Sequence, residues 1–82
     1  MSMNTIRLPR AEEVEMVKKA VEEVFCHEDV PCGEVRTELD GRMLARATIP
    51  DSKRERVVCG LFRHGIVVVN VGNGELGFAV RG

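Results

Sequence analysis

From Ile66 to Val71 five of six residues are aliphatic, and the run is fenced by Gly65 and Gly72. Valine and isoleucine are stiff at χ1 and favour extended backbone, so the segment reads as a strand with apolar side chains on both faces. Val57 to Phe62 and Glu75 to Arg81 read as its neighbours. The first is joined to it by an Arg63-His64-Gly65 loop whose glycine takes left-handed backbone, the second by Gly72-Asn73-Gly74. Val58, Phe62, Ile66, Val68, Phe78 and Val80 fall on one face, and Val57, Cys59, Leu61, Val67, Val69, Val71 and Ala79 on the other. A sheet that is apolar on both faces needs two covering layers.

The pattern predicts one helix to supply that cover. Val14, Val17, Val21 and Val24, with Ala11 and Phe25 beside them, follow the spacing that gathers apolar side chains on one helical face. Glu12 and Glu13 sit where negative charge complements the helix dipole, and Glu15 precedes Lys19 at ion-pairing distance. Pro9 marks the helix start after a short leading strand, Asn4 to Leu8, and Pro31 and Gly33 close the segment.

Beyond Gly33 the period becomes two: Val35, Thr37 and Leu39, then Met43, Ala45, Ala47 and Ile49. A two-residue Asp40-Gly41 turn would put these two sets on opposite faces. A three-residue loop, Asp40-Gly41-Arg42, sets Leu39 opposite Met43 and gathers all seven on one face, and is preferred. Pro50 to Arg56 reads as a charged connection. The expected fold is α+β, one domain over residues 1–82: a short N-terminal strand, one amphipathic helix, and a mainly antiparallel sheet of about five further strands. The surplus apolar face is covered either by closure into a small β-barrel or by a second copy, and the homodimer is favoured.

Composition narrows the function. The chain has 82 residues, 44% hydrophobic and 30% charged, with a net charge of -1, which is the profile of a small globular domain. It has no tryptophan or tyrosine and three phenylalanines, so its core rests on aliphatic side chains. No apolar run approaches the roughly 18 residues of a membrane span, and no membrane partner is expected. Met1-Ser2-Met3-Asn4-Thr5 lacks the basic start and apolar core of a secretory signal, so a cytoplasmic protein with reduced thiols is expected.

Gly72-Asn73-Gly74-Glu75-Leu76-Gly77 matches the dinucleotide fingerprint G-x-G-x-x-G, but that motif needs a following helix and a later acidic residue, and only Phe78 to Gly82 remain. The glycines are read as turn formers, and no cofactor is expected. Cys26, Cys32, Cys59 and His64, with His27 as a substitute, are the residue types of a zinc site, yet their spacings are wider than zinc knuckles. Cys26, at the helix C-terminus, is at the wrong end of the dipole for a thiolate nucleophile, and the carboxylates form no acid/base pair.

The basic residues are the remaining binding candidates. Residues 33–82 carry eight bases against six acids, while 1–32 carry four against seven. In the preferred register Arg36 stands opposite Arg46 with Arg42 in the loop, an arrangement that needs an anion or a carboxylate from Glu34 or Glu38. Lys53, Arg54, Arg56 and Arg63 extend the rim. Such a rim suits phosphates or an acidic protein, but the overall balance and the lack of stacking aromatics disfavour nucleic acid. The reading is a non-enzymatic interaction module that binds itself or another protein through its apolar sheet face and basic rim. Nucleic-acid binding and zinc binding are the alternatives.

Overall fold

The computed structural model describes residues 5–82. Asn4, at the start of the expected leading strand, and the residues before it lie outside the described residues. The elements in order are β1 (Ile6–Arg7), a 3-10 turn (Ala11–Glu13), α1 (Val14–His27), β2 (Arg36–Thr37), β3 (Met43–Arg46), α2 (Asp51–Arg63), β4 (Ile66–Gly72) and β5 (Glu75–Arg81). The fold is α+β with an antiparallel sheet, as the sequence pattern predicts. β5 is the hub: β4 runs along one of its edges, while β3 and β1 share the other, and β2 pairs outside β3. The sheet is open, so the barrel alternative does not hold.

The main correction is α2. Val57 to Phe62 is helix, not strand, and Pro50 to Arg56 is its lead-in and first turns, not a connection. Four strands therefore follow β1, and a second helix joins the first. Only Val57 and Leu61, four residues apart, are fully buried on α2, while Val58, Cys59 and Phe62 are exposed. A buried stripe this narrow, inside a continuous apolar run, carries almost no helical periodicity. Gly65 is left-handed as expected (φ 77°), but it ends α2: its N–H donates to the Phe62 carbonyl at 2.9 Å. Gly60 lets the helices approach closely, since a Cβ there would lie 3.0 Å from Val24 Cγ1.

α1 buries Val17, Val21 and Phe25 as expected, together with Ala20, which the pattern does not name; Val14 and Val24 are only partly buried against the same core, and Ala11 is exposed in the 3-10 turn. Its end is a Schellman cap: the Asp29 N–H donates to the Cys26 carbonyl and the Val30 N–H to the Phe25 carbonyl, with Val30 buried. Asp29 sits at φ 58°, a conformation that costs an L side chain about 1 kcal/mol. Asp29→Gly is accordingly expected to raise stability by about 0.5–1 kcal/mol, read by urea denaturation; an unchanged midpoint would contradict this account of the cap.

The β2–β3 hairpin keeps a three-residue loop, but the loop lies one residue earlier and the cross-strand pairing shifts by two. Thr37 faces Met43 and Arg36 faces Leu44, and the Glu38 N–H donates to the Arg42 carbonyl, so Leu39, Asp40 and Gly41 form the loop. Gly41, at φ 93°, takes the left-handed place that closes such loops. A shift of two preserves parity, so Val35, Met43, Ala45 and Ala47 are all buried, while Leu39, expected opposite Met43, is fully exposed in the loop.

Both helices lie on the core face. Val35, Met43, Ala45, Ile66, Phe78 and Val80 point into one buried cluster with α1 and α2, in which the Phe25 and Phe78 rings meet edge to face at 6.5 Å. Among the described residues no helix is long and apolar enough to cross a membrane.

Candidate interaction surface

The pairing registers place Leu44, Gly77, Ala79, Val67 and Val69 on the sheet face away from the helices, with Arg36, Arg46 and Glu75 at one end. A Cβ on Gly77 would lie 3.0 Å from Val69 Cγ2, 3.1 Å from Val71 Cγ2 and 3.4 Å from Leu44 Cδ2. The three side chains thus close over the bare backbone of β5 and bury Leu44, and they leave Val69 and Val71 about two-fifths exposed (40% and 41%). Ile6, across from Arg81 on β1, is also exposed. No described element covers this face.

Four of the seven basic candidates are held by neighbours. Arg36 Nη2 donates to Glu75 Oε2 at 2.6 Å and its Nε to Glu38 Oε2 at 2.9 Å. Glu38 is thus one neutralising carboxylate, as expected, and Glu75 is a second that no local spacing announces. The direct Arg36–Arg46 opposition does not form, because the register has shifted. Arg46 instead donates to the Asn73 carbonyl at 3.2 Å, with Glu75 at 3.9 Å. Arg42 Nε donates to Asp40 Oδ2 at 2.8 Å, and the Arg42 backbone N–H holds the Asp40 carboxyl below its ordinary pKa, with the guanidinium adding to the effect. Lys53 Nζ donates to the Glu28 carbonyl at 2.7 Å and the Asp29 carbonyl at 3.3 Å, tying the end of α1 to the first turn of α2. Arg54 and Arg56 are looser, 3.7 Å from Asp51 and 3.9 Å from Glu28.

Arg56 and Arg63 line a groove of about 620 Å³ between the helices with His27, His64 and Cys59. Of the zinc candidates, Cys59, His64 and the substitute His27 line this groove. Cys26 is exposed elsewhere, and Cys32 packs against the core, where burial, with the Glu22 charge adding, pushes its thiol pKa up. All three cysteines are free thiols, and among the described residues no three His, Cys, Asp or Glu side chains gather to hold a metal. The Gly72 to Gly77 fingerprint is a two-residue Asn73-Gly74 turn, both residues at positive φ, entering β5 rather than a helix.

Sequence reasoning misses the Arg7–Glu13 pair. Arg7 donates to both Glu13 oxygens at 2.8 and 2.9 Å, and the Arg10 N–H adds a third bond at 2.8 Å, so β1 is tied to the entrance of α1. These bonds, the Arg7 guanidinium first, lower the Glu13 pKa to about 2. A depressed carboxylate pKa contributes stability above its unfolded value near 4.5 that is lost as pH falls toward 2. Glu13→Gln is therefore expected to flatten the fall in melting temperature between pH 5 and about 2; an unchanged slope would contradict the pairing.

Comparison with known families, characterised proteins and solved structures finds no match.

Proposed function

We propose that this chain is a non-enzymatic interaction module that works as a homodimer in the cytoplasm, with a second copy packed on its helix-free sheet face. One observation carries the reading: both helices cover the same face, and on the other face Ile6, Val69 and Val71, with the half-buried Val67, leave an apolar surface that no described element crosses. A small domain with an aliphatic core gains stability from burying such a face against its like. The surface is self-complementary in kind, with an uncharged β-branched centre and both signs of charge, Arg36, Arg46 and Glu75, at one end. A two-fold arrangement would pack the sheets about 10 Å apart.

Nucleic acid is the less supported partner. Arg36, Arg42 and Lys53 are already engaged by the chain's own oxygens, which leaves few cations to neutralise phosphates. Sedimentation of the untagged chain separates the readings: a dimer insensitive to salt supports this one, and a monomer that is retained on DNA or RNA at low salt supports the other.

A further inference from the structure

The outer edge of β4 is a second, chemically different surface. The Gly65 carbonyl accepts from the Arg81 N–H at 2.9 Å, so the odd residues of β4 turn their backbone groups toward β5. Ile66, Val68 and Asn70 turn theirs away, and among the described residues no backbone group of another element meets them. Natural sheets guard such an edge with charge or proline, and Ile66–Gly72 contains neither.

Beside this edge, on the core side, α2 presents Val58 and Phe62, one turn apart, 38% and 45% exposed. Val58 and Arg54 also line a hollow of about 390 Å³ that starts at Val68 and Asn70, near the end of β4, and runs inward past Leu76 to Ile49. At the other end the Arg81 guanidinium lies 4.3 Å over the Phe62 ring. The result is a trough with hydrogen-bonding backbone on one wall, an apolar helix ridge on the other, Arg81 at one end, and Arg54 with Asp51 and Glu75 near it at the other.

We infer that the β4–α2 trough binds an extended segment of a partner protein by strand addition, with alternate apolar side chains seated on Val58 and Phe62 and acidic residues flanking them. Charge decides the occupant. Antiparallel pairing of two β4 strands would bring Arg54 of one copy toward Arg81 of the other, an arrangement that like charges disfavour, whereas an acidic-ended strand meets Arg81 directly and competes with Asp51, 3.7 Å away, for Arg54. This surface is separate from the helix-free face, so the two stand or fall independently.

The test uses the acetylated, amidated peptide Glu-Val-Thr-Ile-Thr-Val-Asp with the full chain. At saturation, hydrogen exchange at the Ile66, Val68 and Asn70 amides is expected to slow at least about tenfold while Val67 and Val69 change little. A version with lysine at both ends, a version N-methylated at alternate residues, and the Phe62→Ser variant are each expected to bind at least about tenfold more weakly. The N-methyl peptide leaves the protein untouched, so misfolding cannot mimic its result. Three results would overturn the inference: no binding at about 1 mM peptide, equal binding of the lysine version, or slow exchange at these amides in the free chain together with a dimer mass that survives Val69→Lys.

Discussion

Phe78→Ala is expected to lower stability by about 3–5 kcal/mol, a large share of what a domain of this size holds. Phe78 lies on β5, the strand that pairs with three others, and is 2% exposed. Its ring meets Phe25 edge to face, the interplanar angle being 84°. The remaining core is aliphatic, so removing one ring leaves a void that no other aromatic fills and strands its partner. A domain of this size has only about 4–12 kcal/mol to lose. Phe78→Leu, which keeps most of the volume, should cost about 1–2 kcal/mol. Urea unfolding reads both; an alanine variant within about 1 kcal/mol of the parent would show that β5 is not the hub of the core.

Val69→Lys is expected to weaken self-association at least about a hundredfold while leaving the fold intact. Val69 is half-solvated in one copy, so a lysine there can extend into water, and in the dimer the same ammonium would be buried without a partner. Val69→Thr, similar in shape, should weaken the dimer far less. Sedimentation velocity over a concentration series distinguishes them, and circular dichroism checks that both variants remain folded. Equal dimerisation by the lysine variant would move the interface off this face.

The parts of the fold that sequence reveals are those where one physical demand dominates. α1 is legible because its broad apolar face, Val17, Ala20, Val21 and Phe25, is buried at helical period and its other side is charged. The shared face of β2 and β3 is legible by parity, because burying Val35, Met43 and Ala45 together forbids an odd slip. The exact register is not, because a move of two satisfies the same demand and the choice rests on Gly41 taking the left-handed loop position. α2 hides because the residues between Val57 and Leu61 are as apolar as the two it buries. The Pro50-Asp51 start and the Val57/Leu61 spacing are the signals that point to it, with Gly65 as its stop.

The basic rim illustrates a different limit. Which arginines are free depends on contacts across the fold: Arg36 meets Glu75 from 39 residues away, and Lys53 reaches carbonyls at the end of α1. Local spacing carries no trace of either. The surplus apolar face, by contrast, is visible in the alternation of Val67, Val69 and Val71 alone, even though Val57, Cys59 and Leu61, assigned to the same face, and Val58 and Phe62, assigned to the other, belong to a helix.

Native mass spectrometry of the untagged chain at low micromolar concentration shows whether a second copy covers the helix-free face. A species of about 18 kDa, twice the 9.1 kDa chain, is expected, collapsing to the single mass in Val69→Lys. A wild-type chain that remains at 9.1 kDa up to about 100 μM would contradict it, because the helix-free face would then stand exposed to water without a second copy.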